Sequence, residues 1–153
     1  MRCPAQLCGE SAAGPAALSP HNWAGQRIPL HATSDGKVLL AYLSQAELVG
    51  CLTPPLRCFT DRTITTLDEL SPVLAEVRQR GFATAVDELE AGLTAIAAPV
   101  RNEEGRVVAS ISASGPSFRI PADRIGQVAG SVRRAAAEVS RRLGWTGSED
   151  VLV

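Results

Sequence analysis

The stretch LTAIAAPVRNEEGRVVASISAS, residues 93–114, constrains the fold more than any other part of the chain. LTAIAAPV (93–100) and RVVASISAS (106–114) read as strands, and the polar, glycine-bearing RNEEG between them predicts a hairpin with a loop of about five residues. On a regular second strand Val108, Ser110, Ser112 and Ser114 face one way, and Val107, Ala109, Ile111 and Ala113 the other. The apolar face must pack against something. The other carries three hydroxyls in a row, which either meet water or line one wall of a pocket as neutral donors.

The helices are legible from their caps and stripes. PADRIGQVAGSVRRAAAEVSRRLG opens with Pro121 at the first helical position and closes on Gly144, with Ile125, Val128, Ala129, Val132, Ala136, Val139 and Leu143 as its apolar stripe. Lys37 to Leu43 reads as a short buried helix, and the Ser44/Glu47 capping box starts another through about Cys51, stopped by Pro54 and Pro55. TDRTIT (60–65) has strand-like or extended composition. A further helix ends at Gly81, opened either by Thr66 with Glu69 or by Ser71 with Pro72. Helices mixed with an antiparallel hairpin, without a βαβ rhythm, predict an α+β domain.

At 153 residues the chain can bury a core without a metal or disulfide. Residues 1–25, rich in Pro, Ala, Gly and Ser, read as an irregular leader, and 146–153 as a tail. The net charge of −1 provides no field for nucleic acid or an anionic membrane, and aromatics at 4% provide few stacking platforms. No apolar run is long enough to span a membrane, so the expected location is cytoplasmic. Cys3, Cys8, Cys51 and Cys58 match no zinc or redox spacing and read as inert thiols, the alternative being a disulfide or metal site with His21.

Three places could hold chemistry. In HATSDGK, residues 31–37, Thr33, Ser34 or Asp35 can cap the following helix, whose free amides would form a small anion site, and Gly36 permits close approach of a ligand to the backbone. The bland alternative is an ordinary cap with Lys37 in solvent. Asp87, Glu88 and Glu90 cluster beside Gly92 and read as a solvated loop or structural cap, or as acids able to bind or catalyse. The third place is the serine row. A P-loop, a Gly-x-Ser-x-Gly elbow, a Gly-x-Gly-x-x-Gly element and a His-Glu-x-x-His motif are all absent from the sequence, so no enzymatic reaction and no cofactor is nominated.

PLHATSDGKVLLAYL, RTIT, LAEVRQRGFATAVDELEAGLTAIAAPV and GRVVASISASGPSFRI, taken in order from about residue 26 to 144, resemble the ligand-binding domain of the IclR family of bacterial transcriptional regulators. The resemblance implies a GAF-like or profilin-like α+β fold over 26–145, with an antiparallel sheet incomplete on its N-terminal side. It implies a small-molecule effector between the sheet and the neighbouring helices, and homodimers or homotetramers. DNA would be reached only through a winged helix-turn-helix that these 153 residues do not contain. An exposed sheet edge would favour pairing with another chain.

Carried over by position, the resemblance places Ser34 and Asp35 at the ligand contact of the helix start, and Ser112 and Ser114 at the hydroxyl contacts of the sheet. Ala85 and Ala95 stand where some relatives that bind small oxoacids carry polar side chains, and Asp35 adds negative charge where an anion would dock. The candidate ligand set is therefore Ser34, Asp35, Gly36, Ala85, Glu88, Ala95, Ser112 and Ser114, for a carboxylate or aromatic metabolite. The competing readings are a dimerisation scaffold without a ligand and an enzyme using Cys58 or His31.

Overall fold

The computed structural model describes residues 28–147. The expectations for the leader, Cys3, Cys8, His21 and the last six residues lie outside that range. In chain order the elements are α1 (Ser34–Ala41), α2 (Gln45–Cys51), α3 (Leu67–Arg80), β1 (Ala83–Val86), β2 (Leu93–Arg101), β3 (Val107–Pro116) and α4 (Ala122–Arg142). The three strands form one antiparallel sheet in the order β1-β2-β3. The α+β expectation holds, and so does the hairpin.

Local chemistry explains most boundaries. Thr33 caps α1 by accepting from the Gly36 amide, so the helix starts three residues before the expected Lys37 and ends at Ala41. Ser44 and Glu47 form the full capping box of α2. Thr66, and not Ser71, caps α3, with its hydroxyl accepting from the Glu69 amide. Pro72 then lies inside that helix, where its missing N–H costs one intrahelical bond at an exposed position. Gly81 ends α3 at φ 70°, in the left-handed region that glycine enters without strain. Pro121 is the N-cap of α4 and not its first helical residue.

Pairing decides two segments that the sequence pattern leaves open. Ala83–Val86 form β1, held by register against Thr94–Ala97. TDRTIT joins no strand; Thr60 and Thr63 are spent on turn and side-chain hydrogen bonds.

The sheet lies between two helical layers. On one side Val38, Leu40 and Ala41 of α1, Leu48 of α2 and Leu70, Leu74 and Val77 of α3 pack on Ala83 and Ala97. On the other, Val132 and Ala136 of α4, with Val128, pack on Ala98, Val100, Ile111 and Ala113. A β-bulge between Val100 and Arg101 pairs Val100 with Ala109 but Arg101 with Val107. The extra residue reverses the alternation, so Val107 packs into the α1 cluster and not beside Ile111 as strict alternation predicts. It also gives α4 a polar contact: the Arg101 amide donates to Ser140 Oγ at 2.9 Å. Ser140 is buried, whereas Val139 and Leu143 of the predicted stripe are 36% and 46% exposed.

Candidate functional site

The first turn of α1 lies over the sheet face that carries Ser110, Ser112 and Ser114. Cross-strand partners share a face, and Ala85, Ala95 and Ser114 form one row across the three strands. Ala83, Ala97 and Ser112 form the next row. The floor beside α1 is thus built entirely of small side chains. Ala85 is buried, Ala95 half-buried, and Ser112 and Ser114 are exposed. Ser110 is not part of the open row, because its hydroxyl donates to Asp35 Oδ1 at 2.8 Å. That bond pins the start of α1 to β3.

Gly36 has a structural task in place of the expected one. A Cβ there would stand 2.1 Å from the Leu30 carbonyl oxygen, so its missing side chain makes room for the chain's own backbone and not for a ligand. Its amide is taken by Thr33 Oγ1 at 3.2 Å, and Thr33 Oγ1 donates in turn to the Pro29 carbonyl at 2.9 Å. The Lys37 amide makes the first intrahelical bond, to the Thr33 carbonyl. Ser34 and Asp35 remain as the first-turn amides without an intrahelical acceptor.

Lys37 overturns the expectation of a solvated side chain. It is 1% exposed, and its Nζ donates to the Thr84 carbonyl at 3.0 Å and to Glu88 Oε1 at 2.6 Å. Burial pulls the Lys37 pKa below its ordinary value, opposed by the charge and hydrogen bond of Glu88. Burial likewise raises that of Glu88, opposed by Lys37. Each group opposes in the other the shift toward the neutral form that burial causes.

The segment after β1 is held as firmly as the helix. Asp87 adopts φ 57°, a left-handed conformation that Asp tolerates better than most side chains. Its Oδ1 accepts from the Gly92 amide and from Ser117 Oγ, both at 2.8 Å. Thr60 Oγ1 donates to the Asp87 carbonyl and Thr63 Oγ1 to the Glu88 carbonyl, both at 2.6 Å. No sequence pattern marks Thr60, Thr63 and Ser117 as a set. The sequence signal closest to them is the Asp–Gly spacing from Asp87 to Gly92, which suits a turn closed by an Asx side chain. Glu90 is exposed and apart from this network.

His31 and Cys58 are engaged separately. His31 Nε2 meets the Arg57 carbonyl at 2.8 Å and its ring lies 5.9 Å from that of Phe59, while Cys58 Sγ donates to the Thr60 carbonyl at 3.1 Å. Neither is arranged as a nucleophile with its base.

Residues 10–141 match the family described as bacterial transcriptional regulator IclR C-terminal. The chain belongs to that family. It is 34% identical to the HTH-type transcriptional regulator XynR of Escherichia coli over 137 residues, 89% of this chain and 54% of XynR. The structure superposes on the C-terminal domain of the E. coli transcriptional regulator KdgR with a TM-score of 0.74 and 36% identity, covering 80% of this chain and 75% of that one. It superposes on the inducer binding domain of the PobR transcription factor from Acinetobacter, described as a complex with 3-hydroxybenzoic acid, with a TM-score of 0.73 and 34% identity. That match covers 82% of this chain and 73% of the PobR domain. This IclR-family chain spans about half the length of the curated relatives it matches. Those relatives are regulators and not enzymes, in keeping with the separate placement of His31 and Cys58. No helix among the described residues is long and apolar enough to cross a membrane.

Proposed function

We propose that residues 26–145 carry the effector-sensing and oligomerising module of an IclR-type regulator, within a family match that begins at residue 10. The observation that carries this reading is the convergence of the α1 start with Ala85, Ala95, Ser112 and Ser114 on one face of the sheet, where the two serines are exposed and the floor is small. A small metabolite, a carboxylate or aromatic compound, fills that space. Its binding shifts the balance between two arrangements of a homodimer or homotetramer, which requires unequal affinity for the two. A winged helix-turn-helix outside these residues contacts DNA, and the module works in the cytoplasm. The PobR inducer domain supports the reading by its fold and its bound ligand.

Thermal unfolding against a panel of carboxylates, aromatic acids and neutral metabolites tests it. Ligand at about 100 times its dissociation constant adds roughly 2.7 kcal/mol to stability, a rise of several degrees. The Ser112→Val/Ser114→Val double variant deletes both hydroxyls at nearly constant shape and is expected to abolish most of that rise. An unchanged affinity removes the serines from the site. A flat panel with a folded, oligomeric protein favours a dimerisation scaffold without a ligand.

A further inference from the structure

β3 stands at one edge of the sheet, and among the described residues no strand pairs with its outer side. Two bonds fix which of its residues point outward. The Asp87 amide donates to the Leu93 carbonyl at 2.8 Å, and the Ser117 amide to the Gly92 carbonyl at 2.7 Å. Backbone groups alternate sides along a strand, so Leu93, Ala95 and Ala97 address β1, while Thr94, Ile96 and Ala98 address Gly115, Ala113 and Ile111 of β3. Ser110, Ser112 and Ser114 therefore direct their N–H and C=O groups away from the sheet. Pro99 agrees with this phase, since it stands opposite Ser110 in a pair that exchanges no bonds. Natural edges are commonly guarded by charges, prolines or bulges. In β3, VVASISASGP, no residue is charged, and the guards lie at the two ends: Val108 is left unpaired by the bulge, and Pro116 closes the strand. The unguarded run between them is Ala109–Gly115, in which Ala109, Ser112 and Ser114 are exposed. Its midpoint is Ser112.

We propose that this edge pairs with the same edge of a second copy of the chain, antiparallel about a two-fold axis at Ser112, so that two sheets join into one. The pairing rests on the oligomerising part of the reading above and names its surface; it does not depend on the effector. In that register the strand is complementary to itself. Ser112 meets the partner's Ser112, and Ser110 meets the partner's Ser114, so every outward N–H and C=O of the three serines gains a ladder bond. An axis placed at a neighbouring residue leaves one of the three unmatched. On the α1 face serine opposes serine, a pair that can hydrogen-bond, and on the α4 face Ile111 opposes the partner's Ala113, an apolar contact. An isologous contact of this kind closes at two copies and builds no fibre. The competing occupant is the chain's own segment 10–27, but it carries Gly14, Pro15, Pro20 and Gly25, residues that a ladder accepts poorly.

Sedimentation velocity and hydrogen exchange on the full chain without ligand test the pairing. A dimer is expected, and as concentration rises its formation slows exchange at the Ser110, Ser112 and Ser114 amides. Ser112→Lys sets two ammonium groups across the axis, at residues about 5.5 Å apart between Cα atoms, and is expected to weaken the dimer about tenfold or more, as is Ser112→Asp. Mixing the two variants restores a dimer, because an axis at residue 112 sets the lysine against the aspartate. The exchange result comes from the unaltered protein and stands even where a variant fails to fold. Protection of the three amides at every concentration means that the chain covers its own edge, and overturns the pairing. A dimer whose three amides exchange freely, or one that survives Ser112→Lys unchanged, also overturns it and assigns oligomerisation to another surface. A monomer at all concentrations removes both the pairing and the oligomerising reading.

Discussion

Replacing Glu88 by leucine strands a lysine whose side chain is 2% exposed. The stranded ammonium either stays charged without a counter-ion or gives up its proton, and the second route caps the loss. From the ordinary lysine value of 10.5 down to pH 7, at about 1.36 kcal/mol per pH unit, the cap is about 5 kcal/mol. Lys37→Met strands Glu88 instead, and protonating a carboxyl of ordinary pKa 4.5 at pH 7 caps that loss near 3 kcal/mol. The double variant Lys37→Met/Glu88→Leu strands no charge. It loses the donor to the Thr84 carbonyl, a cost of about 1 to 2 kcal/mol, and no longer bears the desolvation of two ions. The expected order of stability is therefore wild type near the double variant, then Lys37→Met, then Glu88→Leu, the last melting on the order of 10 to 20 °C lower.

The pH dependence separates this reasoning from a packing defect. In Glu88→Leu the folded pKa of Lys37 lies below 10.5, so between the two values the unfolded chain binds more protons and stability rises with pH. At pH 9 the cap has shrunk to about 2 kcal/mol. In Lys37→Met the folded pKa of Glu88 lies above 4.5, the folded chain binds more protons, and stability rises as pH falls toward 4.5. Urea denaturation at pH 5, 7 and 9 reads both slopes. Losses in the single variants that add up in the double, or slopes of the same sign, refute the interpretation.

Two further substitutions probe the frame around the site. Gly36→Ala drives a Cβ to 2.1 Å from the Leu30 carbonyl oxygen and must push α1 off the segment below it, costing about 3 kcal/mol or more by urea denaturation; a loss under about 1 kcal/mol would mean that the helix start has room to move. Ser140→Ala removes the acceptor for the bulged Arg101 amide and is expected to cost about 1 to 2 kcal/mol, with hydrogen exchange at that amide rising in step; unaltered exchange shows that the bulge does not depend on α4.

The division between what the sequence discloses and what it hides follows the range of the interactions. The hairpin, the Ser44 and Thr66 caps and the helix from Ala122 are legible because alternation, capping pairs and stripes act within a few residues. β1 is four residues long and exists through its register with β2, which a propensity reading of ATAV does not contain. The bulge at Val100/Arg101 moves Val107 to the other face and demands a hydroxyl at Ser140, so one inserted residue defeats the expectation for β3 and for α4 together.

At the site, the resemblance implies the positions of Ser34, Asp35, Ser112 and Ser114, but no local pattern discloses the pair that Lys37, the chain's single lysine, makes across 51 residues. That pair changes what the polar stretch at 31–37 is for. Thr33 caps the helix, Gly36 lets Leu30 pass, and Asp35 ties α1 to β3 through Ser110. Lys37 ties α1 to the segment after β1, which Thr60 and Thr63 fasten to the loop before α3. Four of its side chains or their absence are thus consumed in fixing the geometry. Ser34 is the residue whose hydroxyl remains uncommitted. Its replacement by alanine therefore separates two roles: a lower melting temperature without ligand assigns the hydroxyl to the fold, and a weaker ligand response at unchanged stability assigns it to the effector site proposed above.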